Sequence, residues 1–183
     1  MGPEGQITIR RYRRDDSGPL LEAALESTEQ IFPWLPWCHA AYSLDDSHAW
    51  IEHCEAAWQK GAEYNFAIVD HARRILGGCG LNQLRPEHRV ANLGYWVRTS
   101  ATKKGVATAA VRELAEFAFR ETNLVRLEIV VALGNVASHR VAAKVGAVHE
   151  GVAHDRLHVH GQSRDAVVYA LLRSRYEHRG LDA

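Results

Sequence analysis

From Leu93 to Val97 the chain reads Leu93-Gly94-Tyr95-Trp96-Val97, a strand of aromatic and branched residues. Arg98 to Lys104 is a short polar, basic loop, and Gly105 then opens a long helical pattern through Val106, Ala107 and Thr108. A helix starting at Gly105 turns its first unpaired main-chain N–H groups, and the positive end of its dipole, back toward that loop. Lys103 and Lys104 add charge, and the small residues Gly105 and Ala107 let an anion approach the backbone. The passage predicts a pyrophosphate cradle. Taken alone it also fits an ordinary strand–loop–helix connection with two solvated lysines, because short glycine motifs recur by chance.

The rest of the sequence narrows the choice. Ile7 to Tyr12 predicts a first strand, and Asp15, Asp16 and Ser17 cap a helix carrying Leu20, Leu21, Ala24, Leu25 and Thr28. Pro33 and Pro36 interrupt a run rich in aromatics, Phe32-Pro33-Trp34-Leu35-Pro36-Trp37. Trp34 and Trp37 are either core plugs or the wall of a substrate groove. Asp45, Asp46 and Ser47 cap a second helix that stops at Gly61. Glu63 to Asp70, Ile75 to Leu84 and Arg89 to Val97 form an antiparallel meander, bulged near Gly77, Gly78 and Gly80. After the long helix, Leu124 to Leu133 is a nearly continuous apolar strand. Asn135 caps a short helix ending at Gly146, and Ala147 to His158 with Gln162 to Leu172 close the chain as a hairpin.

The order βααβββαβαββ describes one mixed α/β (α+β) domain over 1–183, with Met1–Gln6 and Gly180–Ala183 as tails. Twenty-two basic and 22 acidic residues cancel, which argues against a general nucleic-acid or anionic-membrane binder. Three cysteines suit a reducing compartment better than a disulfide framework. Met1 to Gln6 lacks an apolar signal core and no run approaches membrane-spanning length, so the cytoplasm is the expected location.

Together with Asn135-Val136-Ala137-Ser138, Lys144-Val145-Gly146-Ala147 and Glu150-Gly151, this order resembles the GNAT superfamily of acyl-CoA-dependent N-acyltransferases. It is most similar to the ribosomal-protein N-acetyltransferase (RimJ/RimL) group. The resemblance implies a mixed, mostly antiparallel seven-stranded sheet flanked by about four helices and splayed at its central strands. Acetyl-CoA would be the co-substrate, with no metal. The family's phosphate loop begins with Gln or Arg; Thr102 stands in that slot, with Gly105 and Ala107 in the later ones, and Lys103 or Lys104 compensates.

The chemistry so implied has three tasks. The thioester oxygen needs a main-chain N–H, which the resemblance assigns to Val97, flanked by Trp96 and Arg98. The amine must lose a proton to a base. Asn92 stands where many relatives carry a carboxylate, so Glu63 is the candidate and His154 the reserve; Glu63 also fits a solvated strand end, the commoner fate of such a residue. The leaving thiolate needs a proton or an equivalent stabiliser. The family's tyrosine slot is Ala142 here; Ser138 is the hydroxyl on this helix, and the resemblance makes it the proton donor, plain helix capping at N3 being the alternative. Asn135 is both helix cap and CoA contact.

His154, His158 and His160 lie at strand spacing without matching cysteine or carboxylate partners, so no metal is expected; His39 with Cys38 and His53 with Cys54 carry none either. The acceptor is a protein N-terminal α-amine or a small amine such as a polyamine, amino sugar or amino acid. A longer acyl group such as succinyl would call on Arg98 or Arg156. A catalytically silent CoA-binding module also fits, and homodimerisation is common in the group.

Overall fold

The computed structural model describes residues 7–177. In chain order it contains β1 (Ile7–Arg11), α1 (Ser17–Ile31), α2 (Leu44–Lys60), β2 (Tyr64–Asp70), β3 (Ile75–Arg85) and β4 (Val90–Val97). These are followed by α3 (Val106–Glu121), β5 (Arg126–Ala132), α4 (Val136–Lys144), β6 (Val148–Val159), β7 (Gln162–Leu172) and the short α5 (Arg173–Glu177). All seven strands lie in one sheet, ordered β1-β2-β3-β4-β5-β7-β6. The mixed sheet is the expected one. A fifth helix, α5, follows the closing hairpin. The expected tails, Met1–Gln6 and Gly180–Ala183, lie outside the described residues.

Strand periodicity divides the sheet between two layers. Phe66, Ile68, Leu76, Leu81, Leu93 and Val97 join the buried face of α3, where Ala110, Val111, Leu114 and Ala118 point inward at helical spacing. Ala67, Val69 and Ile75, alternating with them, pack on the other side with Ala23 of α1. On β3 this alternation sends Gly78, Gly80 and Asn82 toward the α1–α2 side.

Among the described strands only one pair of neighbours runs parallel. β4 and β5 pair at Val90↔Arg126, Ala91↔Leu127 and Asn92↔Glu128 and then part. Beyond that point β4 stays on β3 up to Gly77↔Val97, and β5 stays on β7 up to Ala132↔Ala166. The centre of the sheet therefore opens into a wedge whose two sides carry unpaired main-chain groups.

The α2 cap differs from the expectation. Ser43 is the N-cap: Asp46 N–H donates to Ser43 Oγ (3.3 Å) and Ser43 N–H donates back to Asp46 Oδ2 (2.8 Å), a reciprocal box. Ser47, which sequence alone offered as a cap, is buried one turn on. The three cysteines are buried and unpaired.

Candidate active site

The wedge leads into a cavity of about 730 Å³ that passes between the two layers. On the α1–α2 side its floor is made of polar side chains laid over glycines. A Cβ on Gly80 would stand 2.1 Å from Asn65 Oδ1, so only glycine lets Asn65 lie across β3. Asn82 accepts a hydrogen bond from Asn92 Nδ2 (2.9 Å) beside it, and Gln83 completes the carboxamide row.

The aromatic wall comes from the proline-broken segment. Trp34 N–H and Leu35 N–H both donate to Ile31 O, and Cys38 N–H donates to Leu35 O, winding the chain into consecutive turns. Both tryptophans face the cavity. Trp37 meets Trp96 edge-on with ring centres 5.5 Å apart, and also Tyr42 at 5.8 Å. Trp34 packs over Gly134 at the turn between β5 and α4. Neither is a core plug.

Glu63 also lines this cavity, with its carboxylate already engaged. Its Oε2 lies 3.0 Å from His53 Nε2 and accepts from Asn65 Nδ2 at 2.8 Å. His53 stacks on Trp50 (5.5 Å, 23°), and both project from the face of α2 that carries Asp46 and Ala49. Helical spacing could have pointed to His53, but its pairing with Glu63 depends on where β2 begins.

At the far side of the wedge Asn135 caps α4, its Oδ1 accepting the Ser138 N–H at 3.1 Å. Ser138 Oγ then lies 2.7 Å from the hydroxyl of Tyr95. Burial pushes the Tyr95 phenol up to about 12. The sequence offered no signal for this pair, which joins residues 43 positions apart.

Main-chain geometry sets the rest. Arg98 N–H donates to Leu76 O on β3 at 2.8 Å. By two-residue alternation, Tyr95 and Val97 turn their N–H groups to the opposite edge, the one β5 has left. Further on, Gly105 takes φ 81°, a left-handed conformation, and the first α3 hydrogen bond runs from Ala109 N–H to Gly105 O. The N–H groups of Val106, Ala107 and Thr108 thus precede any helical acceptor. Nothing lies within 4 Å of where a Gly105 Cβ would stand, and Lys103 and Lys104 are exposed beside it. This open helix end fits a diphosphate. It lies outside the cavity, whose lining on this strand ends at Trp96.

Two sequence expectations are corrected. The Arg98 side chain is not at the cofactor's disposal: only 6% exposed, it is bound by Glu22, Glu26 and the Ile75 carbonyl. His154 is 82% exposed, pairs with Asp165, and does not line the cavity. The Thr102 hydroxyl is turned into its own loop, donating to Thr99 O (2.8 Å). Among the described residues no group of three or more histidine, cysteine or acidic side chains is placed to hold a metal. No helix among them is long and apolar enough to cross a membrane.

Residues 6–148 match the acetyltransferase (GNAT) domain family. The chain belongs to the GNAT acetyltransferase family. Among similar proteins is the putative ribosomal N-acetyltransferase YdaF of Bacillus subtilis, 32% identical over 174 residues and 93% of each chain. RimJ of Mycobacterium smegmatis, solved with a CoA disulfide, superposes with a TM-score of 0.85 at 26% identity, covering 98% of this chain and 90% of that one. The spermidine N(1)-acetyltransferase of Vibrio cholerae is 22% identical over 143 residues, 76% of this chain and 83% of that protein. As a GNAT N-acetyltransferase the protein uses acetyl-CoA as co-substrate, and the α3 terminus and the opened wedge are the features of this chain that fit it.

Proposed function

We propose that the protein transfers the acetyl group of acetyl-CoA directly, in a ternary complex, to the N-terminal α-amine of a protein, of the ribosomal-protein type. The observation that carries this reading is the carboxamide floor. Asn65, Asn82, Gln83 and Asn92 offer both donors and acceptors, which suit a peptide main chain. A polyamine would instead need several free carboxylates; the cavity has Asp46 and Glu63, and Glu63 is already bound by His53 and Asn65. Similarity to YdaF over nearly the whole chain points the same way.

On this reading the diphosphate rests on the N–H groups of Val106, Ala107 and Thr108, with Gly105 admitting it and Lys103 and Lys104 adding charge. Val97 holds the pantetheine arm through its main chain, with Trp96 and Arg98 flanking it along the strand, and Asn135 with Ser138 borders it from α4. Val97 N–H stabilises the oxyanion as the amine attacks. Glu63, together with His53, takes the amine's proton, directly or through water. Ser138 donates a hydrogen bond to the departing sulfur. Trp34 and Trp37 close over the acceptor. With the Arg98 side chain consumed by Glu22 and Glu26, a succinyl donor would call on Arg156, which lines the cavity.

Thiol release from acetyl-CoA, followed with N-terminal peptides, polyamines, amino sugars and amino acids side by side, tests the assignment. Peptides are expected to have the highest kcat/KM. Fastest turnover of a small amine would reassign the acceptor, and no turnover with any amine would leave a silent CoA-binding protein. The enzyme is further proposed to work in the cytoplasm as a homodimer, the latter checked by light scattering.

A further inference from the structure

A thiolate leaving CoA, with an intrinsic pKa of about 8.5, is a weaker base than an alkoxide or a phenolate. No hydroxyl beside it gives up a proton outright. What a hydroxyl can do is donate a hydrogen bond, and only if its single proton is not already committed elsewhere. Ser138 Oγ has one proton and two lone pairs, and its direction therefore matters.

We propose that Tyr95 is a positioning residue for the transfer step: its phenolic O–H donates to Ser138 Oγ and so leaves the serine proton free to face the sulfur. The inference rests on the reading of Ser138 given above. Two points favour this direction, and a third fixes the residue in place. Ser138 Oγ lies 2.7 Å from the Tyr95 hydroxyl, which also approaches the Ser138 carbonyl at 3.3 Å. The phenol has one proton, and the contact to Oγ is the shorter of the two, so that proton goes to Ser138 Oγ and not to the more distant carbonyl. A phenol is also the better donor of the two hydroxyls and an aliphatic alcohol the better acceptor. Finally, the Ser138 N–H is fixed on Asn135 Oδ1 (3.1 Å), which holds the residue while its hydroxyl turns.

The surroundings fit this division of labour. Tyr95 stands on β4 where its side chain packs against the α3 layer, and it lines the cavity together with Ser138. Its burial keeps the phenol protonated throughout the neutral range, so the O–H is always present to donate. Ala142, one turn after Ser138, is buried and offers no hydroxyl of its own. In the step itself the C–S bond breaks and its electron pair stays on sulfur. The Ser138 O–H holds that thiolate, Tyr95 backs the serine oxygen, and sulfur takes its proton from water on release. No proton leaves Tyr95 or Ser138.

The test compares Tyr95→Phe, Ser138→Ala and the double variant, each with acetyl-CoA and the best amine of the panel above. Phenylalanine keeps the ring packing and removes only the hydroxyl. Ser138→Ala is expected to lower kcat about ten- to hundredfold, the usual worth of a hydrogen bond to a charged partner. Tyr95→Phe is expected to lower kcat several-fold with KM for acetyl-CoA within about twofold, and the double variant should be no worse than Ser138→Ala. A second readout needs no acceptor. The thiol of bound CoA, followed by thiolate ultraviolet absorbance, should titrate lower on the native protein than in solution. It should move back toward the solution value in both single variants. Native kcat and an unshifted CoA titration in Tyr95→Phe, with Ser138→Ala impaired, overturn this inference alone. So do losses that add in the double variant. Native kcat in Ser138→Ala overturns the reading of Ser138 as well.

Discussion

Arg98 and Glu26 form the tie between the end of β4 and α1. The guanidinium of Arg98 lies against Glu26 Oε2 and Glu22 Oε1, while Glu26 Oε1 accepts the Ser100 N–H at 2.7 Å. The loop that leads into the α3 terminus is thus anchored from behind. The arginine that sequence reasoning set beside the cofactor instead holds the cofactor's loop in place.

This tie is pH-dependent. Its bond to Arg98 holds the Glu26 carboxyl down at about 2, against an ordinary value of 4.5. The folded-state value is depressed, so the stabilisation is complete above about 4.5 and is lost as pH falls toward 2. Urea unfolding at pH 6 and pH 3 should show Glu26→Gln less stable than the native protein at pH 6, with the gap narrowing at pH 3. Arg98→Ala leaves two carboxylates facing each other and should lower Tm more than Glu26→Gln does.

Gly105 at φ 81° predicts a clean separation of binding from folding. A Cβ there meets no neighbour, so Gly105→Val costs chiefly left-handed strain, about 1 to 2 kcal/mol. It also places methyl groups where the diphosphate approaches. KM for acetyl-CoA should rise at least tenfold while the protein remains folded by circular dichroism. Lys103→Ala/Lys104→Ala should raise that KM several-fold at low salt, with the difference shrinking at high salt.

The acceptor side should respond differently. Gly80→Ala drives a methyl into Asn65 Oδ1, and Asn65 in turn holds Glu63. The acceptor KM should rise and kcat fall while KM for acetyl-CoA stays put. Trp37→Ala, which empties the ring contacts to Trp96 and Tyr42, should act on the acceptor KM as well.

Glu63 and His53 predict a pH signature. If the pair takes the amine's proton, Glu63→Gln lowers kcat/KM at neutral pH by about ten- to a thousandfold and shifts the acid limb of the profile. A Glu63→Gln profile that superposes on the native one would remove the pair from the mechanism.

Much of the architecture was visible in the chain because it depends on local pattern. β7 runs from Gln162 to Leu172 as the sequence predicted, and α3 starts where Gly105 required. Caps were less certain. Ser43, Asp45, Asp46 and Ser47 are all good cap residues, and only the reciprocal geometry of Ser43 with Asp46 decides among them. What stayed hidden was side-chain partnership across distance. Arg98 meets Glu26 72 residues away and Tyr95 meets Ser138 43 away, and no periodicity encodes either pairing. His53 and Glu63 are ten residues apart, yet they meet only because α2 turns back at Gly61 onto the start of β2.

The central claim is the acceptor. Mass spectrometry of ribosomal proteins incubated with the enzyme and acetyl-CoA reads it most directly. One acetyl group on the N-terminal α-amine of a ribosomal protein is the predicted result. Unmodified proteins in a mixture where the same enzyme acetylates an added small amine would contradict it.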